Sequence, residues 1–155
     1  HWHAFQRETL PSIAGIMMLD DIVGFMGEAD FVEFGLPYFR ELYNVDVPVK
    51  FFHNDAPCAQ SIRHYPGIGI NLYNPGVQTT LTEMRRLCGN ELTILGNLPP
   101  RDVLAQGTPD DVRNGVKTLL NEAQDRSRLI LSCGGGVPPG VSTANLQAFV
   151  EAARG

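Results

Sequence analysis

Basic charge, cysteine and long apolar runs are all scarce in this sequence, and each scarcity removes a class of function. Its 155 residues carry 12 Lys and Arg against 17 Asp and Glu, a formal net charge of −5 with a pI near 5.3. No stretch concentrates positive charge as a nucleic-acid or anionic-membrane footprint requires. Three cysteines, Cys58, Cys88 and Cys133, are too few and too scattered for a disulfide framework, and they read as reduced thiols. No apolar run approaches the roughly 20 residues of a membrane span. The opening HWHAFQRETL lacks the charged n-region and apolar h-region of a signal peptide, so the expected location is cytoplasmic. Linkers and low-complexity segments are missing too. With 43% hydrophobic and 19% charged residues, the chain is expected to fold as a single domain over 1–155 with a sizeable core.

What is present alternates. Gly15 to Leu19 (GIMML) reads as a buried strand delivering Asp20 and Asp21 at its tip. Phe31, Phe34, Tyr38 and Leu42 mark a helix that Pro37 should break or kink. Pro48 to Asp55 (PVKFFHND) is the next strand, with Pro57 placed to open a helix. Ile68 to Tyr73 (IGINLY) is a third strand, closed by Asn74, Pro75 and Gly76. Thr80 caps a helix striped by Leu81, Met84, Leu87 and Cys88, which Gly89 ends. Leu92 to Leu95 is the fourth strand. Thr108, Pro109, Asp110 and Asp111 open the clearest helix, ahead of Val112, Val116, Leu119 and Leu120.

The sharpest change of chemistry lies between Arg128 and Val150. Leu129, Ile130 and Leu131 run into Gly134, Gly135 and Gly136, then Pro138, Pro139 and Gly140, then a helix capped by Ser142 with Leu146, Phe149, Val150 and Ala153 as its apolar face. The three glycines can offer backbone N–H groups to an anion, but no Lys or Ser/Thr follows at the spacing of a P-loop. Five strands, each followed by a helical segment, predict a parallel α/β sheet with outer helices. Five units do not close a (β/α)8 barrel of about 250 residues, and an open doubly wound sheet also fits this length. In either case ligands bind at the carboxyl ends of the strands.

The strand ending LDD, the segment FVEFGLPYFREL, FFHND at a strand end, LGNLPPRDVLAQGTPDDV and LILSCGGGVPPGVSTANLQAFV together resemble the carboxyl-terminal half of the uroporphyrinogen decarboxylase superfamily. That superfamily holds the haem-pathway decarboxylase and the zinc-dependent methyltransferases that move methyl groups between corrinoid proteins and thiols. The resemblance implies a (β/α)8 TIM-type barrel of which this chain is the last five or so βα units. It also implies where the chain departs from the pattern. The decarboxylases carry Gly-His-Gly where the middle residue here is Gly135, and an acid where this chain has Pro99. The methyltransferases bind zinc through His-x-Cys and a late Cys. Here His53 matches the His, Asp55 replaces the first Cys, the late Cys position is Gly135, and Cys133 lies two residues earlier.

All these residues sit at predicted carboxyl ends of strands, so they can share one mouth. His53 and Cys133 are the candidate metal ligands and Asp20, Asp21 and Asp55 the candidate catalytic acids, one of which can add a carboxylate, since zinc accepts imidazole, thiolate and carboxylate oxygen. Against this, Cys133 equally reads as a small core residue and His53 as an imidazole held by hydrogen bonds. Of Asp20 and Asp21, one is expected to orient its loop and the other to face the cavity, because adjacent strand residues point to opposite sides. Tyr73, Asn74, Asn97 and Gly134 to Gly136 are candidate walls for a small-molecule or tetrapyrrole substrate, with Asn97 equally suited to bonding loop backbone. His1, Trp2 and His3 look frayed, and His64 looks like a surface residue. Three activities follow as expectations. The first is zinc-assisted methyl transfer with a corrinoid protein as partner, the second is decarboxylation of uroporphyrinogen with no cofactor, and the third is binding without catalysis. The unpaired strand at Gly15 to Leu19 leads us to expect a homo-oligomer or a companion segment over that edge.

Overall fold

The computed structural model describes residues 1–123 and 125–155. Its elements are α1 (Trp2–Thr9), β1 (Gly15–Leu19), α2 (Glu28–Asp30), α3 (Leu36–Leu42), β2 (Val49–Asn54), α4 (Tyr65–Ile68), β3 (Leu72–Pro75), α5 (Leu81–Cys88), β4 (Thr93–Leu95), α6 (Pro109–Glu122), β5 (Leu129–Ile130) and α7 (Thr143–Arg154). The five strands form one sheet in the order β1-β2-β3-β4-β5, and every neighbouring pair is parallel. This is an α/β arrangement of successive strand and helix units, a part-barrel rather than a closed one.

Side-chain alternation divides the sheet into two unlike faces. Phe52, Tyr73 and Ile94 lie in register on one side, Ile16 shares that face opposite Lys50, and all four are buried under the helices. Phe52 stacks on Tyr73 with ring centroids 5.7 Å apart and meets Phe39 and Tyr65 edge-on at 5.2 Å. These contacts make an aromatic seam behind β2 and β3, of the kind that adds to simple burial. On the other side Met17, Leu19 and Ile130 are 57, 63 and 49% exposed despite being apolar strand residues. His53 and Asn74, paired in register, share that open side.

Several expectations about the elements are corrected. Phe31 to Gly35 forms a π-type turn leading into α3, just ahead of Pro37, which has no N–H to give to a regular ladder. The extra residue in that turn rotates the following face by about 100°. Phe31, Leu36, Phe39 and Tyr43 are therefore buried, while Phe34 and Tyr38 face outward. No helix starts at Pro57. The chain runs irregularly to a short 3-10 turn, Ile62–His64, and then α4. Ile68 ends α4 rather than opening a strand, because Gly69 adopts the left-handed conformation (φ 93°) that caps it, and β3 instead includes Asn74 and Pro75.

In α7 the buried residues are Asn145 and Ala148, whereas Leu146 and Val150 are exposed. His64 is half-buried, with Nε2 3.0 Å from the Glu28 carboxylate. Residues 2–9 are helical, although none of their side chains is buried. The expected caps are in place. The Thr80 hydroxyl accepts from the Glu83 amide, and Thr108 and Asp111 form a reciprocal capping box.

Candidate functional site

His53 is the next-to-last residue of β2, and the strand's alternation turns its ring to the open side of the sheet. Its Nδ1 lies 2.8 Å from Oδ1 of Asn74, the residue beside it on β3. The Asn74 amide nitrogen donates to the Leu95 carbonyl at 2.5 Å and to the Cys133 carbonyl at 3.2 Å. One buried amide therefore connects β2, β3, β4 and the segment beyond β5. The other ring nitrogen, Nε2, stands 3.6 Å from the Asp55 carboxylate. That is too long for a hydrogen bond.

Asp55 follows β2 and is held by its own backbone, whose N–H donates to the Asp21 carboxylate at 2.7 Å. Its side chain is 53% exposed, against 16% for His53. Across the mouth, Gly135 has φ 77°, and a Cβ added there would come within 2.7 and 3.0 Å of the two Asp55 carboxylate oxygens. Asp55 thus occupies the space that a side chain at position 135 would enter. His53, Asp55, Asn74 and Gly135 form the chemical centre of this rim.

The remaining candidates take other places. Asp20 accepts from the Ile22 amide at 2.8 Å and Asp21 from Asp55, so both acids orient loop backbone, and the expected division of labour between them is not found. Tyr73 is on the helix-covered face, fully buried between Phe52 and Tyr65, because it lies one residue out of phase with Asn74. It is not a pocket wall. Asn97 is buried and donates to the carbonyls of Gly76 and Thr79, a loop-bracing duty. Gly134 packs against Val77 and the Pro75 carbonyl and gives its own N–H to Leu98, whereas Gly136 has open space around it.

Cys133 is buried and its thiol donates to the Gly135 carbonyl at 3.3 Å. Burial, with the nearby Asp55 charge adding, raises its pKa above the usual thiol range, which favours thiol over the metal-binding thiolate. Among the described residues, no three His, Cys, Asp or Glu side chains gather closely enough to hold a metal ion. His53 and Asp55 are suitable in kind and spacing, since two donors on one tetrahedral ion with bonds of about 2.0–2.1 Å lie about 3.4 Å apart. A catalytic zinc takes three protein donors, of which this pair could supply two. The role of Asn74 as partner of His53 was hidden in the sequence. Only the register that sets position 74 beside position 53 reveals it.

Residues 12–155 match the family model described as uroporphyrinogen decarboxylase. Proteins named uroporphyrinogen decarboxylase from Chlorobium phaeobacteroides and Prochlorococcus marinus are each 26% identical, over 88 and 90% of this chain and 40% of their own length. That from Chlorobium luteolum is 28% identical over 88% of the chain and 40% of its length. The chain thus spans about two fifths of these relatives. Among solved structures, a methyltransferase from Methanosarcina mazei superposes with a TM-score of 0.76 at 18% identity, covering 92% of this chain and 42% of that one. At that identity the likeness concerns the fold.

Proposed function

This chain belongs to the uroporphyrinogen decarboxylase family, and from that premise we propose that it forms the carboxyl-terminal part of a barrel mouth for zinc-assisted methyl transfer between a corrinoid protein and a thiol. The observation that carries the reading is the pairing of His53 Nε2 with the Asp55 carboxylate 3.6 Å away, in the space a residue at position 135 would otherwise fill. The resemblance assigns the decarboxylases' imidazole to position 135, which here is glycine. The imidazole that remains is the one assigned to the methyltransferases, and beside it a carboxylate replaces a thiolate as a second donor acceptable to zinc.

In this reading His53 and Asp55 hold the cation together with a donor outside these 155 residues. Bound zinc would keep an acceptor thiol as thiolate at neutral pH. The work of the chain itself is positional. Asn74 holds the ring of His53, Asp21 holds the backbone of Asp55, and Gly135 leaves room for the carboxylate.

A second reading rests on the names of the relatives with 26 to 28% identity. As a uroporphyrinogen decarboxylase the protein needs no metal, and Asp55, the open carboxylate of the mouth, balances pyrrole charge while carbon dioxide leaves. The two readings separate in one set of measurements on the complete barrel containing this chain. Methyl transfer predicts about one zinc per barrel, methylation of a thiol from methylcobalamin, and loss of metal in His53→Ala and Asp55→Ala. Metal-free protein that releases carbon dioxide from uroporphyrinogen would overturn it in favour of the second reading.

A further inference from the structure

We propose that Asn74 is a positioning residue that locks the neutral His53 ring in the Nδ1–H tautomer, leaving the Nε2 lone pair facing the Asp55 carboxylate. The argument starts from atoms whose roles have no freedom. The carbonyl oxygens of Leu95 and Cys133 can only accept, so the Asn74 atom 2.5 and 3.2 Å from them is its NH2 group, with both protons engaged. The opposite end of the amide is therefore Oδ1, also an acceptor, and it lies 2.8 Å from His53 Nδ1. Two acceptors do not approach to that distance without a proton between them, so Nδ1 carries it.

In the neutral ring Nε2 is then a bare acceptor, and 3.6 Å away stands a second acceptor, the Asp55 carboxylate. Among the described residues, no N–H or O–H group bridges them. Such a pair attracts whatever can bridge it, namely a proton, a cation or an N–H or O–H group of a ligand, and repels an anion. Asn74 reaches this result from a buried position without joining the mouth chemistry itself. Fixing a tautomer through the far ring nitrogen is a known function of groups behind a metal-bound or proton-transferring imidazole. The inference stands apart from the choice between methyl transfer and decarboxylation, because it concerns only which nitrogen is free.

The test is a long-range proton–nitrogen correlation spectrum of the 15N-labelled complete barrel containing this chain, in alkaline buffer, with the His53 signals assigned by their absence in His53→Gln. The wild-type ring is expected to show a pyrrole-type Nδ1 and a pyridine-type Nε2. Asn74→Leu, which offers no acceptor, should shift the ring to the Nε2–H form that free imidazole favours. Asn74→Asp keeps an acceptor but cannot donate to Leu95 and Cys133, so it should lose stability yet retain the Nδ1–H pattern. A purely structural role would not divide the two variants in this way. A pyridine-type Nδ1 in the wild type would overturn the proposal outright, and needs no variant to fold. So would an unchanged tautomer in Asn74→Leu.

Discussion

A single glycine sets the size of the mouth. Gly135 combines a left-handed backbone (φ 77°) with a Cβ position already taken by Asp55. Gly135→Ala should therefore lose on the order of 1–3 kcal/mol in urea unfolding, the usual cost of a side chain held at positive φ. The carboxylate, being at the mobile end of a half-exposed side chain, should swing away from His53. If zinc binds as proposed, its affinity should fall in the same variant, and an unchanged affinity would show that the Asp55 position is immaterial. At this scale the sequence is a partial guide. His53 and Asp55 are legible as residue types at a strand end, but position 135 reads as a deletion of function, when in three dimensions it is the space Asp55 fills. Tyr73 misleads for the opposite reason. A strand boundary misplaced by a few residues is enough to obscure which of two neighbours faces a cavity, since side chains alternate.

Helix α7 makes the same point about elements. Its existence and its Ser142 cap are written in the sequence, yet periodicity favours Leu146 and Val150 as the buried stripe when they are exposed. The residue that anchors the helix is Asn145, buried, with its amide donating at 2.8 Å to the carbonyls of both Leu104 and Gly107. A polar anchor of this kind is invisible to a reading based on hydrophobic spacing. Asn145→Ala should cost about 1–3 kcal/mol, because two carbonyls lose their donor inside the protein. Leu146→Ser should stay within about 0.5 kcal/mol in the chain as it stands. Equal losses in the two variants would mean the exposed stripe is covered. The elements most faithful to the sequence, α5 and α6, are those whose signals are local: a capping hydroxyl and an acid three residues on in both, with a proline at the first turn of α6.

For the molecule as a whole, the apolar face bearing Met17, Leu19 and Ile130, and the unpaired edge of β1, should drive association. Light scattering on the isolated chain should give a mass above 17.0 kDa. Met17→Lys with Leu19→Lys should move it toward monomer, and a monodisperse wild-type monomer that binds no apolar dye would refute the expectation. Alkali should also unfold the protein. Burial raises the phenols of Tyr43, Tyr65 and Tyr73 above their ordinary value of 10.0, so they favour the folded state below about pH 10, and that contribution is lost as pH rises further. Their ultraviolet ionisation should coincide with loss of circular dichroism. Ionisation well before unfolding would place them nearer solvent.

The strictly sequential strand order has a bearing on how the chain comes to be folded at all. Among the described residues each strand pairs only with the ones immediately before and after it, so each of these pairings closes a loop of one strand–helix unit. A nascent chain leaving the ribosome can add each unit to the growing edge as it emerges. The same order makes the register of His53 against Asn74 a property of two adjacent units. It would survive division of the gene at either side of that pair.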